Sequence, residues 1–158
     1  MSVDAKSSLH GIHIQSRELS GSFEIEVSAT GLDLTKPPTG QLELDAESLK
    51  TGNRLEDSQI ESQLEVRKYP KVRGAVRAVT ALGDGSRYRV RGDLTLHGVT
   101  KTVDGDVTLK SLDGKTVEVE GEKVIDVREF GLNPPKILMM KVYPDVKIRA
   151  KVVAVREG

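Results

Sequence analysis

The chain has no cysteine and no tryptophan, and its only aromatic residues are two phenylalanines and three tyrosines among 158 residues. Without cysteine there is no disulfide, no thiolate nucleophile and no zinc or iron–sulfur site built on thiolates. Scarce aromatic side chains leave few surfaces on which nucleic-acid bases can stack. The 24 basic residues are balanced by 24 acidic ones, so no net positive field attracts phosphates. We therefore expect no nucleic-acid partner.

Long apolar runs are also missing from the chain. No run approaches the roughly 18 residues of a membrane-spanning helix, and the opening MSVDAKSSLHG lacks the apolar centre of a signal peptide. We expect no stable membrane insertion and a cytoplasmic protein, or a periplasmic or secreted one if a leader has been removed. The length fits a single domain, 1–158, that buries a core without disulfides.

Apolar residues instead recur at every second position through most of the chain. In GSFEIEVSA, Phe23, Ile25 and Val27 alternate with Glu24 and Glu26. Such alternation predicts antiparallel strands with one face on a core and the other in water. The arginines of RYRVRG alternate in the same way, which favours a solvated strand face over a basic patch. The other positions predicted to face inward include Leu42, Leu44, Val76, Tyr88, Val90, Leu94, Leu96, Val107, Ile125 and Ile148.

One segment breaks this alternation and has leucine and isoleucine at helical spacing. Asn53 precedes it as an N-cap, with Glu56 as the second half of a capping box. We predict one short helix over Arg54–Leu64. An ion pair between Arg54 and Asp57, three residues apart, is expected on its surface.

About eight antiparallel strands and one short helix predict an all-β domain whose sheet closes into a barrel, because closure removes exposed edges. Asp-Gly pairs at 83–86 and 112–115 predict hairpin turns. A β-bulge is predicted at Gly121. Gly74, Gly92 and Gly105 fall at inward positions. There a missing side chain either permits sharp curvature or leaves space, and the sequence leaves both alternatives open.

Several segments together resemble the YceI-like family. They are SLKTGNRLEDSQIESQL, VRKYPKV, YRVRGDLTLHGVTK, IDVREFGLNPP and VYPDVKIRAKVVA, and GDLTLHGVTK is the most specific of them. The resemblance covers residues from Gly21 to Val155 and implies a lipocalin-like antiparallel barrel that binds polyisoprenoid chains. The opening SSLHGIHIQSRELSG departs from the family, and Leu64 and Val66 replace common phenylalanines. These departures affect the positions that line the ligand, so the resemblance does not identify it.

The resemblance implies that the interior holds a polyisoprenoid, a quinone or a fatty-acid-like lipid, with no cofactor. An ordinary packed core would use the same residues. An interaction or stress-response scaffold of the same shape, including a homodimer, is therefore the alternative. The run 137–140 either lines the cavity or closes one end of the barrel. The predicted lining residues also include Phe130 and Met139.

Some polar residues are candidates for contact with a ligand head group. His10 and His13 would point to opposite faces of a strand, so they favour a contact at the barrel mouth over a metal site. Arg128 would either hold a diphosphate or pair with Asp126 or Glu129. The head-group candidates are His10, His13, Tyr69 and Arg128.

No catalytic motif is present: the chain has no GxSxG, P-loop, HExxH or GxGxxG. We predict that the protein is not an enzyme. A hydrolase or isomerase acting on a lipid head group through His10, His13 or Arg128 is the weaker alternative. His97 is predicted to be a hydrogen-bonding turn residue that points away from the interior, with Gly98 completing the turn.

Overall fold

The alternating pattern produces an all-β fold with one α-helix. The computed structural model describes residues 2–7, 11–15, 19–24, 26–28, 31–35, 37–83, 86–112, 116–132, 136–137 and 140–155. Helix α1 spans Arg54–Leu64, and 3-10 helices span Ala46–Ser48 and Val127–Phe130. The strands are β1 (Ser2–Ser7), β2 (Gly11–Gln15), β3 (Ser20–Glu24), β4 (Glu26–Ser28), β5 (Gly31–Asp33), β6 (Thr39–Asp45), β7 (Lys71–Ala81), β8 (Arg87–Leu96), β9 (Val99–Leu112), β10 (Thr116–Asp126), β11 (Lys136–Ile137) and β12 (Met140–Val155).

The main sheet is antiparallel throughout, in the order β2-β1-β12-β10-β9-β8-β7-β6-β3, and β11 pairs with β12. Strands β4 and β5 form a separate pair. In the described part of the chain, β2 and β3 lie at the two ends and each pairs with a single neighbour. The described strands therefore form a curled, open sheet, and the predicted closed barrel of about eight strands is not seen among them.

The strand register separates the two faces of this sheet. Leu42, Gly74 and Leu94 stand opposite one another on β6, β7 and β8, and this side, which also carries Ile125 and Val146, is called the inner face. The other side is called the outer face, and Arg89 pairs there with its cross-strand partner Asp106. The alternation predicted from the sequence is confirmed because a period of two keeps each residue on one face.

Helix α1 begins and ends at the predicted residues. The Oδ1 atom of Asn53 accepts hydrogen bonds from the backbone N–H groups of Leu55 at 3.0 Å and Glu56 at 3.2 Å. These bonds satisfy two of the donors that a helix leaves free at its start. The last helical residue, Leu64, is followed by Glu65 as the C-cap, whose φ of 50° is left-handed.

The predicted ion pair between Arg54 and Asp57 does not form. Asp57 Oδ1 instead accepts hydrogen bonds from the backbone N–H of Thr51 at 2.7 Å and from its hydroxyl at 2.8 Å. The carboxylate of Asp57 therefore binds the loop before the helix. The hydroxyl of Thr51 also accepts a hydrogen bond from the backbone N–H of Asn53.

The core is packed against the inner face at the end where β8 turns into β9. Phe130 is fully buried at its centre. One cluster contains Ile125, Phe130 and Val146, with Leu94, Leu96, Val99, Val127 and Ile148 packed against it. The second lies under α1 and contains Leu44, Ala46, Leu49, Ile60, Leu64 and Leu132, with Leu19, Val66, Val72, Leu96 and Val127 against it. We call this the closed end.

The bulge predicted at Gly121 is wrong. Strand β10 pairs with β12 in unbroken register along its whole length, and Gly121 stands opposite Ala150. The register between β10 and β9 shifts instead between Glu118 and Val119, where β9 inserts Lys110. Gly121 therefore keeps its inward position, and a bulge does not explain why a glycine stands there.

Candidate ligand-binding site

The inner-face glycines are of two kinds. A Cβ placed on Gly92 would lie 2.7 Å from the carbonyl oxygen of Ala75, and one on Gly121 would lie 2.8 Å from Val107 Cγ1. At Gly74 and Gly105, no heavy atom of the described residues lies within 4 Å of that position. The first two glycines permit close approach of neighbouring strands, whereas Gly74 and Gly105 leave open space.

Aliphatic residues stand opposite both open positions. Gly74 lies between Leu42 and Leu94, and Gly105 lies opposite Val90. Two further predicted lining residues are aligned across neighbouring strands: Val76 stands opposite Gly40, and Gly40 stands opposite Phe23. The predicted lining residues that are half-buried and outside both packed clusters are Phe23, Leu42, Val76, Val90 and Val107.

The remaining described members of the predicted lining lie in tighter surroundings. Leu44, Ile125 and Phe130 belong to the packed clusters, with Leu94, Leu96 and Ile148 at their margins. Tyr88 is only 2% exposed. These residues share the inner face as predicted, but most of them build the closed end. Their contact with a ligand stays a prediction.

Several predicted residues fall outside the described part of the molecule. Ile25, Met139 and His10 are not among the described residues. The backbone of His13 lies in β2 opposite Asp4, but its side chain is not described.

His97 and Tyr69 lie together at the closed end. His97 and Gly98 have φ values of 54° and 71°, which fits a two-residue hairpin turn between β8 and β9. The His97 ring has Nδ1 3.2 Å from the carbonyl oxygen of Phe130 and Nε2 2.5 Å from Glu65 Oε2. Its ring meets that of Tyr69 edge-on, with centroids 4.9 Å apart. The prediction that His97 is a hydrogen-bonding turn residue is confirmed.

The direction of the His97 side chain differs from the prediction. It was expected to point away from the interior, but it is only 15% exposed and connects the end of α1 to the 3-10 helix at Phe130. These partners lie 32 and 33 residues away in the sequence. Tyr69 packs over Gly98, where an added Cβ would collide with its ring. Tyr69 thus supports the closed end, away from the open glycines.

Arg128 pairs with Asp126, which was one of its two predicted alternatives. Its Nε lies 3.0 Å from Asp126 Oδ1 and its Nη2 2.7 Å from Oδ2. The hydrogen bond from the Arg128 side chain holds the pKa of Asp126 below its usual value, and the backbone N–H of Arg128 adds to this effect. The guanidinium edge that would hold a diphosphate is therefore taken by a carboxylate.

The outer face is a ladder of cross-strand ion pairs. Arg77 Nε lies 2.6 Å from Asp93 Oδ2, and the hydroxyl of Thr102 donates to Asp93 Oδ1 at 2.8 Å. Both hydrogen bonds lower the pKa of Asp93, and the one from Arg77 has the larger effect. Arginine side chains lower the pKa values of Asp104 and Asp106 in the same way. The charges of this face therefore neutralise one another.

The described residues offer apolar contact on the inner face. In the part of the chain that the structure covers, no three metal-ligating side chains converge on one point. No helix among the described segments is long and apolar enough to cross a bilayer. The chemistry of the inner face is thus that of a surface for aliphatic ligands.

Comparison with known proteins gives consistent results. A model of the YceI-like domain matches residues 2–154. The chain is 30% identical over 132 residues to a UPF0312 protein of Pseudomonas savastanoi, covering 78% of this chain and 68% of that one. For a UPF0312 protein of Pseudomonas putida the identity is 28% over 125 residues, covering 73% and 65%.

Solved structures match over nearly the whole chain. Burkholderia cenocepacia BcnA superposes with a TM-score of 0.78 at 21% identity, covering 97% of this chain and 95% of that one. A polyisoprenoid binding domain from Saccharophagus degradans superposes with a TM-score of 0.73 at 17% identity, covering 96% and 90%. These likenesses support the curled antiparallel fold. Because the YceI-like domain model matches residues 2–154, the chain belongs to the YceI-like family.

Proposed function

We propose that the protein binds one long apolar molecule on the inner face of its sheet and carries or shields it without catalysing a reaction. A polyisoprenoid, a quinone with its prenyl chain or a fatty-acyl lipid has the required chemistry. The observation that carries the proposal is the open space over Gly74 and Gly105 in a largely apolar inner face. A structural neighbour described as a polyisoprenoid binding domain supports it.

Apolar burial alone is enough for useful affinity. Each buried CH₂ group contributes about 0.8 kcal/mol, so about ten carbons contribute roughly 8 kcal/mol, which corresponds to micromolar binding before the cost of immobilisation. A longer chain would offset that cost. Closure of the sheet into a barrel is part of the proposal, because an open sheet would leave one side of the ligand in water.

The proposal is tested by filling the space. Gly74→Phe and Gly105→Phe place a ring where the described residues leave room. The matched control is Ala75→Phe, which adds the same ring to an exposed position of β7. Each protein is delipidated and titrated with geranylgeraniol, and its fold is checked by thermal melting.

We expect the two glycine variants to lose at least about tenfold in affinity, the equivalent of roughly 1.4 kcal/mol, and the control to bind as the parent does. Mass spectrometry of an organic extract of the native protein should find a long-chain molecule. If the extract is empty and geranylgeraniol does not bind, the scaffold alternative replaces this proposal. Gel filtration before and after delipidation then shows whether a dimer persists without lipid.

A further inference from the structure

Two lysines occupy inner-face positions that are otherwise apolar. Lys101 on β9 stands opposite Leu94, and Lys123 on β10 stands opposite Ile148. Both side chains are exposed. A lysine on an apolar surface lays its aliphatic stem along that surface and keeps its ammonium group in water.

These two lysines form no ion pair, unlike the other cations of β7 to β10 and β12 whose side chains the structure describes. Neither has a carboxylate of the described residues within 4.0 Å. The outer-face cations of β7 to β10 and β12 whose side chains are described each have one within 4.0 Å. That paired group contains Lys71, Arg73, Arg77, Arg87, Arg89, Arg91, Lys110, Lys147, Arg149 and Lys151.

Both lysines lie where β9 and β10 separate. The two strands pair only as far as Asp106 and Glu122, whereas β9 continues along β8 to Val99. Lys123 immediately follows the last pair. The pKa of Asp104 is lowered chiefly by its hydrogen bond from Arg91, and Lys123 adds a smaller lowering. The strand register thus places Lys123 at this fork, and its charge also adds to the lowering of the pKa of Asp106.

The fork adjoins the open space. Gly105 directly precedes Asp106, the last β9 residue paired with β10. Lys101 lies four residues from Gly105, about 13 Å along the strand at 3.3 Å per residue. A chain that lies over Gly105 can therefore extend along the inner face toward both lysines.

We propose that Lys101 and Lys123 bind the anionic head group, a phosphate or a carboxylate, of the long-chain ligand whose tail lies over Gly105. This inference rests on the proposed function and adds the class of head group. Ammonium groups form charge-assisted hydrogen bonds to such oxygens, and these are stronger than bonds between neutral groups. The tail supplies affinity, and the two lysines select for charge.

The experiment compares ligand pairs that differ only in the head group. Delipidated full-length protein is titrated with geranylgeranyl phosphate and geranylgeraniol, and with hexadecanoic acid and hexadecanol. The variants are Lys101→Gln, Lys123→Gln and the double variant. The matched control is Lys110→Gln, an outer-face lysine of β9 that lies 3.9 Å from Glu120.

The parent protein should bind at least one anionic ligand about tenfold more tightly than its alcohol, and the pair that shows this identifies the head group as phosphate or carboxylate. The double variant should lose this preference and keep its affinity for the alcohols. Raising the salt concentration should reduce the preference in the parent. Lys110→Gln should change neither affinity.

Lysines also protect unpaired strand edges from aggregation. If that is their whole role, the double variant will aggregate more readily while the preference for the anion stays as in the parent, and the inference is overturned. Binding of alcohols with no preference for anions in the parent overturns it too, but leaves the proposed function intact. If no ligand binds, both proposals fail.

Discussion

Alanine at Gly105 and at Gly121 should change stability in opposite directions. Both glycines lie on the inner face of neighbouring strands, and neither has a positive φ. The substitution and the secondary structure are therefore matched. The two positions differ in what surrounds an added Cβ. At Gly105 it would meet open space. At Gly121 it would lie 2.8 Å from Val107 Cγ1 and 3.1 Å from the carbonyl oxygen of Asp106.

The magnitudes follow from these distances. Replacing a strand glycine with alanine gains about 0.5–1 kcal/mol, because the unfolded chain loses freedom. Gly105→Ala should therefore raise the free energy of unfolding by about that amount. At Gly121 the same gain is opposed by overpacking against a branched side chain and a backbone oxygen, which costs about 1–3 kcal/mol. The two variants should differ by about 1–3 kcal/mol.

Urea unfolding of the delipidated proteins measures this difference. In both variants the free energy of unfolding should fall with urea concentration at the same slope as in the parent, and only the midpoints should differ. In a chain of 158 residues, 1 kcal/mol corresponds to a shift of about 2–4 °C in thermal midpoint. If Gly105→Ala destabilises as much as Gly121→Ala, the space over Gly105 is filled in solution, and the ligand has no room there.

Three further substitutions test other parts of the structure by chemical unfolding. Asn53→Ala should cost about 1 kcal/mol through loss of the helix cap, and Asn53→Asp should restore it; equal stability of all three proteins would contradict the cap. Gly98→Ala should cost about 2 kcal/mol or more, because its φ is left-handed and its Cβ meets the ring of Tyr69; a neutral result would place that ring elsewhere. Asp93 has a lowered pKa, mainly through Arg77, so its contribution is present above the unfolded value of about 4 and is lost as the pH falls through the folded value. Asp93→Asn should therefore differ from the parent more at pH 7 than at pH 2, and a difference independent of pH would refute this reasoning.

Local features of the sequence predict the helix and the two faces of the sheet. Asn53 caps its own helix two and three residues later, and period-two alternation assigns each strand residue to a face without knowledge of its partners. The Asp-Gly segments at 83–86 and 112–115 do join neighbouring antiparallel strands. In each case the residues that determine the structure lie only a few positions apart in the sequence.

Features that depend on distant partners are not predictable in this way. Gly105 and Gly121 look alike in the sequence, and only the neighbouring strand shows that one adjoins open space and the other a valine. His97 points toward groups 32 and 33 residues away. Asp57 has Arg54 at helical spacing, yet it bonds to Thr51, whose N–H and hydroxyl meet the same carboxylate oxygen.

The charges of the outer face fix the position of the space on the inner face. Arg89 and Arg91 on β8 stand opposite Asp106 and Asp104 on β9. A shift of one residue in the register between β8 and β9 would turn every side chain of one strand to the other face. A slip of two would keep the faces but place Arg91 opposite Asp106 or Thr102, so that at least one of the two ion pairs is lost. The register that keeps both pairs places Gly105 opposite Val90, and so surface charges that never touch a ligand determine where on the inner face its chain finds room.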